Sequence, residues 1–354
     1  MFRWCQDIVL RVSSEEYPVS VFDISLSRRR FSQVVSGIAG LGVAGPGLAG
    51  RYARAAGLSA LSSVTLRVAS FRGMESCLLP ALGLDDFPYR VVFSEFSSGN
   101  LIAQAISADA VDVGGWSEIP LVFIAAAQAR VAVVATTDGP TTDQALMVPA
   151  GSSARSVGDL RGKRVGYIRS TTSHYFLIRM LDQAGMSFSD IVPVALGPSQ
   201  GLTAMQAGSL DAWATYGYVI QRLQAEGSAR ILESAADILS GHYFIGANPL
   251  HLEDDLFRRA VADYIHRVGR AYEILSADKQ RWAKIVSPVI TVPEPEVLSY
   301  LQNQNRPYHP RAWTGSDIEG VEKVARVFVR ERLIPGDTDV RKVFSDALSP
   351  LLRT

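Results

Sequence analysis

The pattern that most narrows what this chain can fold into is an alternation of short apolar segments with segments of helical period, met twice in succession. Residues 64–70 read as a strand, 74–84 as a helix and 89–96 as a second strand. Residues 98–108 follow as a helix, 111–114 as a short strand, 119–129 as a helix and 131–136 as an apolar strand. Alternation of this kind implies parallel pairing in βαβ units, because a parallel strand must be reached by a crossover long enough to hold a helix. A second set occupies 164–168, 191–196, 211–215 and 230–232 as strands, with helices at 173–184, 200–207 and 218–225 between them. Neither set accounts for the whole chain, so the expected fold is α/β with two lobes. Segments 145–149 and 243–248 are the expected crossings between the lobes, and so the hinge.

The remainder, at 254–287, 294–305 and 317–333, reads as helical. Val321, Val324, Val327 and Phe328 place one apolar stripe on the last of these. The expected division is 61–145 for the first part of lobe 1, 146–243 for lobe 2, and 244–354 for the rest of lobe 1 with the C-terminal helices. Two hinged α/β lobes enclose a cleft at the carboxyl ends of their strands, where helix N-termini present unpaired N–H groups that favour anions.

Composition removes several function classes. Lys+Arg and Asp+Glu each number 35 in 354 residues, so no net field draws the chain to nucleic acid. The two cysteines, Cys5 and Cys77, form neither a Cys-x-x-Cys motif nor a zinc spacing. No metal and no cofactor are expected.

Residues 1–60 read as an export signal. Arg28, Arg29 and Arg30 precede Phe31, and an uncharged run to Gly50 follows, broken by six glycines and Pro46. That order suits a cleaved signal better than a lipid-facing helix, and the paired arginines are of the twin-arginine type. Two G-x-G-x-x-G matches lie inside the same run, at 40–45 and 45–50. Neither follows an apolar strand or has an acidic residue about 20 positions on, as a dinucleotide site requires.

Five runs carry a further signal: DAVDVG at 109–114, SVGDLRGKRVG at 156–166, STTSHYFL at 170–177, AGSLDAW at 207–213, and RLIP at 332–335 followed by Asp339 and Val340. In this order they resemble the periplasmic substrate-binding proteins of ABC transporters, in the aliphatic sulfonate/taurine/nitrate family, from about Val64 to Phe344. The resemblance implies the type II periplasmic-binding fold with its hinge and interlobe cleft, a periplasmic monomer and no catalytic residues. It also implies a small-molecule ligand, a sulfonate or related anion, handed to an ABC permease in the membrane. The chain itself has no G-x-x-x-x-G-K-S/T, so the ATPase is a separate protein.

Thr171, Thr172 and Ser173, with Ser170, lie between a strand and a helix. Their hydroxyls suit either an anion or a helix cap. Ser97, Ser98 and Gly99 repeat the arrangement in the first lobe. Arg72 follows the first strand, as an anion partner or a solvated charge. The resemblance places Trp116, Ser117 and His174 at the cleft, although a lone histidine also serves as a structural hydrogen-bonding group. Trp213 and Tyr216 read as an apolar wall of the cleft or as core. Where the family has Trp-Asp-Pro, this chain has Tyr216-Gly217-Tyr218. The missing aspartate argues against a taurine-type ligand, and two tyrosines suit a bulky or aromatic sulfonate or an uncharged ring. The alternative is an enzyme of the same fold, a desulfinase or pyrimidine-precursor synthase. A desulfinase needs a reactive cysteine in the first strand-to-helix loop, whereas Cys77 falls inside the first helix.

Overall fold

The computed structural model describes residues 60–353. The expected export signal, with its arginines and glycine-rich run, lies outside the described residues apart from Ala60. Among the described residues no helix is long and apolar enough to cross a membrane.

Two sheets organise the chain. The first contains β1 (Thr65–Phe71), β2 (Arg90–Phe96), β3 (Val113–Ser117), β4 (Ala132–Asp138), β10 (His242–Ala247) and β11 (His309–Arg311), in the order β11-β4-β10-β3-β1-β2. The second contains β5 (Gln144–Pro149), β6 (Arg164–Tyr167), β7 (Val192–Ala195), β8 (Ala212–Tyr216) and β9 (Ala229–Ser234), in the order β7-β6-β8-β5-β9. Parallel pairing joins β1 to β2 and β3, and β6 to β7 and β8, as the alternation predicts. Helices α1 (Glu75–Ala81), α2 (Gly99–Ser107) and α3 (Glu118–Ala126) serve the first sheet, and α4 (Thr172–Gln183), α5 (Pro198–Gln206) and α6 (Val219–Ala225) the second.

The predicted crossings need correction. Segment 145–149 lies in β5, antiparallel to both β8 and β9, and 243–248 lies mostly in β10, antiparallel to β3 and β4. The chain passes between the sheets through 139–143 and 235–241 instead. An apolar run shows that a segment is buried but not which sheet it joins, so in sequence an interior strand looks like a connector. The second crossing is tied to lobe 1 at Glu118, whose Oε2 accepts the Ser240 hydroxyl at 2.6 Å. Burial raises the Glu118 carboxyl to about 7, partly offset by Ser240 and the Arg306 charge.

After β10 the chain returns to lobe 1 as α7 (Asp255–Ala277), α8 (Lys279–Ile290), α9 (Glu294–Gln302), α10 (Gly315–Arg330) and α11 (Ser349–Leu352). The single helix expected at 254–287 is two, because the Asp278 carboxylate accepts Arg281 N–H and begins a new helix. One apolar cluster runs across both lobes. Phe328 of α10 meets Phe123 of α3 at 4.9 Å between centroids, and Tyr175 of α4, in the other lobe, at 6.1 Å. Arg330 pairs with Asp182 at 2.6 Å beside this contact.

Candidate functional site

A cavity of about 400 Å³ lies between the lobes, lined from both of them and from the first crossing. The carboxyl ends of β1, β2 and β3 bring Arg72, Ser97, Ser98, Gly99, Trp116 and Ser117 to its wall. From the second sheet, Thr171 and Thr172 arrive at the start of α4, and Tyr216 at the end of β8. The N-termini of α2 and α4, one in each lobe, thus border the same space.

Local chemistry sets these residues in place. Ser98 caps α2 by accepting Leu101 N–H at 3.4 Å. Thr171 Oγ1 donates to the Ile168 carbonyl at 2.7 Å. The Arg72 Nε donates to the Val289 carbonyl at 2.8 Å, which holds an otherwise exposed guanidinium against the cavity wall. The outer edge of the Trp116 indole closes on Gly246. A Cβ there would stand 2.0 Å from the ring, so only glycine admits it. The Trp116 Nε1 is buried and has no hydrogen-bond partner among the described residues.

Three of the expected residues lie elsewhere. Ser173 is fully buried, and its Oγ accepts Ile168 N–H at 2.9 Å, so it fixes the turn before α4 and does not line the cavity. His174 is buried beside Tyr167, Phe188 and Phe328 in the apolar contact between the lobes. Its Nδ1 accepts Ser170 N–H at 3.3 Å, and burial together with the Arg169 charge lowers its pKa to about 4. Trp213 packs in the lobe 2 core against Gly201, where a Cβ would stand 2.5 Å from the indole. Side chains alternate along a strand, so Tyr216 at the end of β8 reaches the cavity while Trp213 faces the core.

The structure also brings in residues that the sequence reading left out. Tyr243, Tyr264, Tyr272, Tyr300 and Tyr308 line the cavity beside Tyr218, as do Glu75, Asp143 and Gln144. Tyr218 packs at a tilt against Tyr300 at 4.2 Å between centroids, and Tyr308 lies against Tyr272 at 5.0 Å and Tyr243 at 5.7 Å. Glu75 Oε1 accepts the Tyr272 hydroxyl and its Oε2 the Ser70 hydroxyl, both at 2.9 Å. Only helical spacing within α7 could have flagged Tyr264 and Tyr272, and that spacing reads equally as core. Cys77 lies in α1, packed against the lobe 1 core, where burial and then Glu75 push its thiol up to about 11.

A family model described as NMT1/THI5 like matches residues 91–245. An aliphatic sulfonates-binding protein of Escherichia coli (strain K12) is 26% identical over 255 residues, covering 72% of this chain and 78% of its own. The alkanesulfonate-binding protein SsuA from Xanthomonas axonopodis pv. citri, solved bound to MOPS, superposes with a TM-score of 0.71 at 25% identity, over 79% of this chain and 98% of that one. Over most of its described length the chain is similar to sulfonate-binding proteins. The two-lobed fold extends to an enzyme as well: the desulfurization enzyme DSZB matches with a TM-score of 0.60 at 12% identity, over 82% of this chain and 99% of that one. The sulfonate-binding proteins are more similar to this chain in sequence than that enzyme is.

Proposed function

We propose that this protein is the extracytoplasmic solute-binding component of an ABC importer, exported by the twin-arginine route. As a monomer it binds a small organic anion, a sulfonate, between its lobes and hands it to a membrane permease. The observation that carries this reading is the convergence of the Ser98–Gly99 and Thr171–Thr172 helix starts, from opposite lobes, on one cavity. Backbone N–H groups and hydroxyls from both sides stabilise an anion, and ligand contacts to both lobes favour the closed state. Arg72 is the one cationic side chain in that wall among the described residues. The tyrosines suit a ligand with a bulky or aromatic body.

The DSZB-like fold favours a second reading, an enzyme. Against it stands Cys77, whose thiol burial keeps protonated and which lies in the first turn of α1 and not in the strand-to-helix loop itself. Calorimetric titration with alkyl and aryl sulfonates tests the proposal. Binding without turnover is expected, with the ligand recovered intact by mass spectrometry. The double variant Ser98→Ala/Thr171→Ala should weaken affinity at least about tenfold, each hydrogen bond to a charged group contributing about 1.5–3 kcal/mol. A sulfonate consumed during the titration would overturn the binding-protein reading in favour of the enzyme.

A further inference from the structure

We infer that Asp143 and Gln144 form a cation subsite in the cavity, so that the ligand carries an ammonium or other N–H cation as well as its anionic group. This rests in part on the proposed anion-binding function, because the anion would occupy the Ser98 and Thr171 side of the same space.

Asp143 ends the first crossing and is 8% exposed. Its Oδ2 accepts the Tyr300 hydroxyl at 2.9 Å, while Oδ1 is buried with no hydrogen-bond partner among the described residues. The next side chain, Gln144, is 5% exposed, and its Oε1 is likewise buried and unpartnered. Both residues line the cavity. Among the described residues no cationic side chain pairs with Asp143 or bears on its charge. Burial raises its carboxyl only to about 6, so near neutral pH it is largely ionised inside the protein. An ionised carboxylate held in that state is costly unless a counter-charge arrives, and buried acceptors without donors ask for N–H groups.

The surrounding walls suit a cation. Tyr218, Tyr243, Tyr300 and Tyr308 all border the cavity, and the charge on Asp143 bears on each of their hydroxyls. Aromatic faces attract an ammonium through their quadrupole, most strongly in a desolvated site. The first crossing, lobe 2 through Tyr218, and lobe 1 through Tyr300 all contribute here, so a cation would also hold the lobes together.

The test compares two ligands of similar shape, toluene-4-sulfonate and 4-(aminomethyl)benzenesulfonate, by calorimetry at about pH 8, where the amine and Asp143 are both charged. Wild-type protein should bind the amine-bearing sulfonate about ten- to a hundredfold more tightly. Asp143→Asn should abolish that preference, so that the two sulfonates bind the variant alike. The wild-type comparison needs no variant, so it stands even if Asp143→Asn folds poorly. Equal wild-type affinities would overturn the cation subsite and leave the sulfonate reading intact. Benzylamine binding where neither sulfonate binds would support the subsite and overturn the sulfonate reading. Failure of all three ligands would overturn both.

Discussion

Glu118 shows how a single buried group couples the lobes to pH. Its carboxylate is held by Ser240 of the second crossing, with Arg306 nearby, and burial raises it from 4.5 to about 7. Between those values the unfolded chain has released a proton that the folded protein keeps. Stability from this group is therefore full below about 4.5 and is lost as pH rises through about 7, by roughly 3 kcal/mol. Asp143 acts with the same sign at a lower pH, and His174, buried neutral, with the opposite sign below its ordinary value. Denaturant unfolding of Glu118→Gln and wild type in parallel isolates the Glu118 part. The variant should gain stability relative to wild type as pH rises from 5 to 8; a constant difference would show that Glu118 carries no raised pKa. At this scale the sequence was legible where a hydroxyl or glycine stands at a strand end, as at Ser98, Gly99, Thr171 and Thr172. Asp143 was not, because a lone acid in a loop shows neither its burial nor its missing partner.

At the scale of elements, most strands and helices appear within a residue or two of their predicted positions, since strand and helix periods and caps are local properties. The crossings were misread because pairing is not local. Nothing in the run Ala145–Pro149 distinguishes a connector from the strand that sits between β8 and β9. The packing of β10 against β3 gives a test of its own. Gly246 lies against the outer edge of the Trp116 indole, so Gly246→Ala must displace that ring or bend the strand. The expected loss is about 1–3 kcal/mol in denaturant unfolding, with weaker sulfonate binding because Trp116 lines the cavity. Unchanged stability and affinity would mean that the indole is free to move.

For the whole molecule, the two lobes share an apolar contact at Phe328, Phe123 and Tyr175 that takes no part in lining the cavity. The amphipathic spacing of Phe328 in α10 was evident in the sequence, but its partner in the other lobe was not, because tertiary contacts between distant segments leave no periodic trace. Phe328→Ala should cost about 3–5 kcal/mol of stability. Because Phe328 does not line the cavity, sulfonate affinity should fall far less than with the Ser98 and Thr171 variants, by calorimetry. The central claim, that this protein closes on an organic sulfonate, is tested most directly by thermal unfolding of residues 61–354 with and without an aryl sulfonate. At a hundred times its dissociation constant the ligand should add about 2.7 kcal/mol and raise the midpoint by several degrees. An unmoved midpoint across aryl and alkyl sulfonates would contradict it.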